Sequence, residues 1–391
     1  MSVLFKNAKL IMPTGIYEGE VLTVGDIISD ISLGGHIETP ADRTIDVEGK
    51  YLSPGFIETH SHGAGGYDFM DGDSESIYGA CRTHLKHGTT TILPTTITST
   101  KESLLNFVDL FNTLDLQKPG CPNIYGLHLE GPYFAMSQKG AQDPKYLRNP
   151  EPEEYNAVLA RTDRIKRWSF AIELPGSGPF LSALRERGIV SSLAHSDATC
   201  QEVFRAYENG ITALTHFYSC MASVKRVNAF RVAGAIEAGY LLDGLYVEVI
   251  ADGCHLPKEL LQLIYKVKGA ERICLVTDSM RAAGMPDGEY ILGGKETGMT
   301  CIKEDGVAKL PDRSAFAGSV ATSDRLVRTF RELTGAPLYE VVKMASTTPA
   351  HMLGIQAKTG SIGMGKTADL IIFDEDIQVS AVMVRGELVI S

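Results

Sequence analysis

Six short segments of this chain carry residues that could do metal-assisted chemistry: His60-Ser61-His62, His128-Leu129-Glu130-Gly131-Pro132, His195, His216, Asp252-Gly253-Cys254-His255 and Asp278. Each follows an apolar run of strand length. Only ten histidines occur in 391 residues, and six of them fall in these segments. Imidazole and carboxylate are borderline donors suited to zinc or iron. Alternate residues on a strand face the same side, so His60 and His62 can point at one ion. Glu130, His195 and His216 extend the donor set. A divalent ion held there would bring the pKa of its water toward neutrality and polarise a carbonyl. Asp278 would then take the water proton and return it to a leaving nitrogen.

Taken singly, each motif is weak. A lone His-x-His recurs by chance, and one polar residue at a strand end is more often a satisfied structural group. Six such ends aligned on one architecture are what make a metal centre. The other histidines do not join it. His84 and His87 sit three apart in a predicted helix and read as structural, while His36 and His351 lie off the strand ends. His128 shares a face with Glu130 one layer deeper and reads as support for a ligand. Cys220 and Cys254 flank the motifs with no base pattern behind them and read as small buried residues.

The elements that must position these groups are legible in the hydrophobic pattern. Strand-length apolar runs recur at Leu52–Thr59, Thr89–Pro94, Ile124–Leu129, Trp168–Leu174, Ile189–Ala194, Ala213–Phe217, Leu245–Ala251 and Ile273–Thr277. Segments with helical spacing lie between most of them, such as Glu202–Tyr207 and Lys258–Lys268, and Asp324–Leu333 and Leu338–Ala345 follow the eighth. Eight runs alternating with helices predict an α/β fold with a parallel (β/α)₈ TIM-like barrel. All strand C-termini of such a barrel open on one face, so residues distant in sequence converge there. Gly284–Ser314 is rich in glycine and turn pairs and predicts a hairpin-bearing insertion at the mouth of the site.

Both ends of the chain read as short strands: Val3–Phe5, Gly19–Val24 and Arg43–Val47 at the start, and Ala368–Phe373, Val382–Arg385 and Glu387–Ile390 at the finish. Neither end can bury a core alone. The expectation is a small β-sandwich domain from residues 1–52 with 358–391, and a catalytic barrel over 53–357.

Composition narrows the function classes. Hydrophobic residues make up 44% and charged residues 22%, as in ordinary globular chains. No apolar run approaches the roughly 18 residues of a membrane span, and the N-terminus reads as no signal peptide. Seven cysteines, an odd number with no CxxC pair, fit reduced thiols in a cytoplasm. A net charge of −11 makes a poor binder of nucleic acid or anionic membrane. An anionic small-molecule substrate would need local cations. Lys225, Arg226 and Arg231 supply three within seven residues just after the sixth strand.

The motifs together resemble a known family. Pro54-Gly55-Phe56-Ile57-Glu58-Thr59-His60-Ser61-His62-Gly63 is similar to the opening signature of the amidohydrolase superfamily. His128-Leu129-Glu130-Gly131-Pro132 is similar to the HLEGP segment of the N-acetylglucosamine-6-phosphate deacetylases, and Ala194-His195-Ser196, Thr215-His216, Asp252-Gly253-Cys254-His255 and Val276-Thr277-Asp278 fall at that family's metal, substrate and catalytic positions. The likeness covers nearly the whole chain. It implies that Glu130, His195 and His216 hold the main metal, zinc or iron, and that His60 and His62 complete a second position, giving one or two ions per subunit. It implies Asp278 as general base and acid, and His255 as the ligand of the acetamide oxygen. It implies a homodimer in which an arginine from the region of Arg226 or Arg231 reaches the neighbouring subunit's substrate.

Two departures stand out. Where the family has a stretch like HLFNAM, this chain reads His216-Phe217-Tyr218-Ser219-Cys220-Met221, which places Ser219 and Cys220 where the family grips sugar and phosphate. The fourth strand, commonly ending in APE, is read here as ending in Leu174-Pro175-Gly176. The leading expectation is deacetylation of N-acetylglucosamine 6-phosphate. Other readings are an N-acetylgalactosamine 6-phosphate, N-acylated amino acid or cyclic amide substrate on the same site, or a catalytically silent barrel that acts as a binding protein.

Overall fold

The computed structural model describes residues 1–390. Eight parallel strands follow one another around a barrel: Phe56–Ser61, Thr89–Thr96, Leu127–Glu130, Ile165–Phe170, Val190–Leu193, Ile211–Leu214, Tyr246–Val249 and Ile273–Leu275. Each is hydrogen-bonded to the next in chain order, and all pairs are parallel. The eighth strand meets the first through a parallel bridge between Ser61 and Ser279, flanked by Asp278 N–H donating to the His60 carbonyl at 2.8 Å. The expected barrel is present, with closure made just beyond the last strand, beside the site.

Several predicted edges move. Leu52–Thr59 is two strands, not one. Tyr51–Pro54 pairs antiparallel with Leu370–Phe373 in the terminal sheet, and the barrel strand starts at Phe56. Gly55 makes the passage possible, because a Cβ there would stand 2.1 Å from Thr90 Oγ1. The fourth strand ends at Phe170, so Leu174-Pro175-Gly176 lies in the turn after it. Sequence reading ran on through Ala171 and Ile172 because they are apolar. The helices Lys258–Lys268 and Leu338–Ala345 form over the residues predicted.

Helices form where the sequence can satisfy their first amides. Asp73 accepts from Ser76 N at the start of Ser74–Lys86, and Thr199 and Glu202 form a reciprocal capping box on Cys200–Glu208. Between helices and strands the core is apolar. Phe180 packs edge-on against Trp168 and Tyr133 with ring centroids 4.9 and 5.1 Å apart.

The two chain ends join in one hydrogen-bonded sheet of eight strands. The long strand Ser2–Met12 forks it: along one edge it pairs with Gly15–Val24, and along the other with Arg43–Asp46 and then Tyr51–Pro54. The sheet encloses a core of its own that includes Phe5, Leu10, Val21, Leu52, Leu370 and Met383. The insertion after the eighth strand is a three-stranded antiparallel sheet, Gly288–Leu292, Met299–Glu304 and Val307–Lys309, as its turn pairs predict.

Candidate metal centre and active site

At the C-terminal mouth of the barrel lies a cavity of about 220 Å³. His62, Glu130, His195, His216, Ser219, Cys220, His255 and Asp278 all reach its wall, and His60 is fully buried beside it. Strand ends deliver these groups by turning sharply. His195, His216 and Asp278 have φ of 45°, 33° and 47°, in the left-handed region. Such a conformation costs a residue other than glycine roughly 1–3 kcal/mol and persists only where the surroundings enforce it.

Glu130, His195 and His216 form a small triangle. Glu130 Oε1 lies 3.1 Å from His216 Nε2 and 3.6 Å from His195 Nε2, and the two imidazole nitrogens are 3.2 Å apart. Ligands on a tetrahedral ion with bonds of about 2.0–2.1 Å stand about 3.3 Å from one another, so the triangle is one face of such a site. The tautomers agree. His195 Nδ1–H donates to the Gln138 carbonyl at 2.7 Å, which leaves its Nε2 a lone pair aimed inward. The two imidazole nitrogens and the carboxylate oxygen converge on one point where a cation fits.

A second cluster shares Glu130. His60 Nε2 stands 3.5 Å from Glu130 Oε1, and His62 Nε2 stands 3.5 Å from Oε2. Asp278 Oδ1 closes it at 3.5 Å from His60 and 3.2 Å from His62. His60 Nε2 has no hydrogen-bond partner although it is buried, while its Nδ1 is held by Glu248 Oε2 at 3.1 Å. Both ligand groups therefore fit a divalent ion in number and spacing, and His195 and His60 fit it in tautomer as well.

The charges are strongly coupled. Burial alone would keep Glu130 neutral, but His195 and His216 hold it well below the usual carboxylate range. Burial likewise opposes a charge on Asp278, yet His60 and His62 bring its carboxyl below its ordinary value. Burial works against protonated His62, and the hydrogen bond to Asp278 with the Glu130 charge carries it up to about 9. Such mutual stabilisation of opposite charges out of water is what a metal ion would otherwise supply.

His255 faces the cavity from the seventh strand. Its Nδ1–H donates to Asp252 Oδ2 at 2.8 Å, and Asp252 Oδ1 accepts the Cys254 and His255 amides. The ring is fixed with Nε2 toward the cavity, and Phe316 packs against it at 4.7 Å. His128 donates no ligand. It bonds Ser169 Oγ at 2.7 Å and packs edge-on against His60, in the supporting place expected of it. His84 is buried, driven down to about 3 by that burial, and bonds Ser61 Oγ. His87 pairs with Asp324 and His36 with Glu20.

Two expectations need correction. Cys220 and Cys254 are half-buried, not buried, and Cys220 lies on the cavity wall. There it crowds Gly140, whose added Cβ would meet its Sγ at 2.6 Å. Arg226 and Arg231, expected at a neighbouring subunit's substrate, do not line the cavity of their own chain. They face each other across an exposed hairpin, Lys225–Val227 with Phe230–Val232, and no arginine or lysine lines the cavity among the described residues.

Sequence reading missed four groups near the centre. Gln142 Nε2 donates to Glu130 Oε2 at 2.9 Å, and its Oε1 accepts from Thr98 N, which fixes the carboxylate's roll. Glu173, three residues past the fourth strand, accepts from Ser196 Oγ and Asp197 N and braces the loop after His195. Glu248 and Arg167 lie beneath the ligands. Gln142 sits in a loop with no periodic signal. Glu248 and Glu173 were readable only as charges inside the apolar runs Leu245–Ala251 and Trp168–Leu174, and Arg167 as a charge at the edge of the latter.

A family model described as the amidohydrolase family matches residues 51–389. The chain belongs to the amidohydrolase family. It is 34% identical to the N-acetylglucosamine-6-phosphate deacetylase of Lysinibacillus sphaericus over 364 residues, 90% of this chain and 89% of that protein. It is 33% identical to the N-acetylgalactosamine-6-phosphate deacetylase of Escherichia coli O157:H7, over 87% of this chain and 88% of that one. The structure superposes with a TM-score of 0.89 and 29% identity on a mutant N-acetyl-D-glucosamine-6-phosphate deacetylase of Mycobacterium smegmatis in complex with N-acetyl-D-glucosamine-6-phosphate, covering 100% of this chain and 99% of that one.

Proposed function

We propose that this amidohydrolase removes the acetyl group of N-acetylglucosamine 6-phosphate, giving glucosamine 6-phosphate and acetate. The observation that carries the reading is the meeting, in one cavity, of the Glu130–His195–His216 triangle with Asp278 and His255. The relatives named above act on phosphorylated N-acetyl amino sugars, and the likeness covers almost all of this chain and of theirs.

A divalent ion, zinc or iron, bound by Glu130, His195 and His216, with His60 and His62 available for a second, supplies the electrophile that polarises the amide carbonyl and acidifies water. The chain's own groups do the rest. Gln142 holds one oxygen of Glu130 so that the other faces His195 and His216. Asp278 accepts the proton of the attacking water as the water oxygen bonds to the carbonyl carbon. His255, whose Nδ1–H is paired with the Asp252 carboxylate, donates an Nε2–H to the carbonyl oxygen as negative charge develops there, the doubly protonated ring being balanced by Asp252. The C–N bond then breaks, and Asp278 returns the proton to the amine. Phe316 and Leu292 form the apolar side of the mouth.

The phosphate needs cations that the cavity wall does not hold. The hairpin Lys225–Val232 stands out from the barrel with Phe230 77% exposed beside Arg226 and Arg231. Val224 and Val227 are exposed with it, and a group of exposed apolar side chains marks a contact surface. A homodimer in which a second copy brings Arg226 or Arg231 to the phosphate accounts for both features. The free thiols fit a reducing, cytoplasmic setting, and no described helix is long and apolar enough to cross a membrane.

Acetate release tests the reading. Chain stripped with a chelator and reloaded with zinc or iron should convert N-acetylglucosamine 6-phosphate to acetate and amine in equal amounts. No turnover by metal-loaded protein would refute it and return the silent-barrel alternative.

A further inference from the structure

The interior of a parallel barrel is ordinarily filled by layers of branched apolar side chains. Here a fully buried ion pair, Arg167 from the fourth strand with Glu248 from the seventh, lies directly under the metal ligands. We propose that Glu248, clamped by Arg167, is a positioning residue that sets the tautomer of His60 and so the ability of His60 to hold a metal. The proposal rests on the metal reading given above.

The geometry assigns each oxygen of Glu248 a task. Oε2 accepts from His60 Nδ1–H at 3.1 Å and from the His216 backbone N–H at 3.2 Å. One carboxylate oxygen thus ties together a ligand of the first strand and the left-handed turn that aims a ligand of the sixth. Oε1 accepts from Arg167 Nη1 and from Thr59 Oγ1 at 3.2 Å. Arg167 cannot turn away. Its Nε donates to Ser192 Oγ at 2.9 Å and its Nη2 to Thr215 Oγ1 at 3.0 Å. With Nδ1 carrying the proton, His60 keeps a lone pair on Nε2, the buried nitrogen that finds no partner within the protein. A hydrogen bond on the far nitrogen of a ligating imidazole orients the ring and raises its basicity. A buried pair of this kind is poor evidence of added stability, because desolvation offsets the attraction. Its retention directly below a ligand is what the positioning role explains.

Glu248→Gln discriminates the role. The amide has one acceptor oxygen. Arg167, pinned in place, takes it, and the amide N–H₂ then faces His60 Nδ1. To accept that hydrogen, His60 must carry its own proton on Nε2, where it blocks ligation. Adding Arg167→Met removes the competing donor and lets the amide oxygen turn to His60.

Chelator-stripped wild type, Glu248→Gln, Arg167→Met with Glu248→Gln, and His60→Ala are titrated with zinc against a chromophoric chelator, with thermal unfolding in parallel. His60→Ala identifies the zinc step that depends on His60. Glu248→Gln is expected to weaken that step by roughly 10–100-fold, and the double variant to recover most of the loss. Wild-type zinc affinity in Glu248→Gln, with only the Tm lowered, would overturn the proposal, and so would a folded double variant no tighter than Glu248→Gln. If Glu248→Gln does not fold, the double variant decides alone: zinc binding near wild type supports the proposal, and loss matching His60→Ala overturns it. Wild type that takes up no zinc would defeat the underlying metal reading as well. Zinc uptake by wild type without any step lost in His60→Ala would defeat only the positioning claim.

Discussion

Asp278 Oδ1 stands 3.2 Å from His62 Nε2, on the same cavity wall as Glu130 and His255. The eighth strand delivers a carboxylate to the first strand's imidazole through the turn that also closes the barrel, since the Asp278 amide donates to the His60 carbonyl. Closure of the fold and placement of the Asp278 carboxylate are therefore one local structure. Asp278→Asn keeps the size and the backbone contact and removes the proton acceptor. Activity is expected to fall about 10²–10⁴-fold or more, with unchanged circular dichroism and metal content. Near wild-type turnover by a metal-loaded variant would remove Asp278 from the base role.

Glu130 belongs to both ligand clusters, so its loss should strip the centre more than any single histidine. Glu130→Gln places a neutral amide against a divalent ion, where it is a poor donor. Metal analysis of the purified variant is expected to show substoichiometric metal in a folded chain. Full occupancy would mean that Glu130 is not a ligand.

His255→Asn should lower kcat more than it raises KM. The bond from His255 strengthens as charge grows on the carbonyl oxygen, and a lost donor of this type costs roughly 10²–10³-fold. A change confined to KM would make His255 a group that merely seats the substrate.

The barrel and the convergence of His60, His62, Glu130, His195, His216, His255 and Asp278 could be read in the sequence because strand ends of a parallel barrel share a face, so order along the chain became proximity in space. The groups that orient those ligands could not be read in the same way. Gln142 reaches Glu130 from a loop twelve residues on. Arg167 and Glu248 meet across the barrel 81 residues apart. Their partners depend on register between strands that are not sequence neighbours. Edges were misplaced where polarity did not change at the boundary, as at Phe170, or where a glycine carried the chain between two sheets, as at Gly55.

The hairpin arginines are expected to act on the phosphate. Arg226→Ala should reduce kcat/KM for the 6-phosphorylated sugar by roughly ten- to a hundred-fold, the worth of a charge-assisted contact of about 1.5–3 kcal/mol. The unphosphorylated sugar should be nearly unaffected. Arg231 faces Arg226 across the hairpin and is the second candidate. Equal losses on both sugars would assign the hairpin a structural role, and sedimentation of wild type and both variants shows whether a dimer forms and whether it depends on these arginines.

The proposed reaction is hydrolysis of a phosphorylated N-acetyl amino sugar at the metal centre. Its most direct test is kcat/KM of the metal-loaded enzyme on four substrates: N-acetylglucosamine and N-acetylgalactosamine, each with and without the 6-phosphate. The expected result is fastest turnover of N-acetylglucosamine 6-phosphate, with the unphosphorylated sugars far behind. Preference for the galacto epimer would keep the chemistry and correct the substrate, toward that named for the Escherichia coli relative. No acetate from any of the four, by protein with its metal in place, would contradict the account.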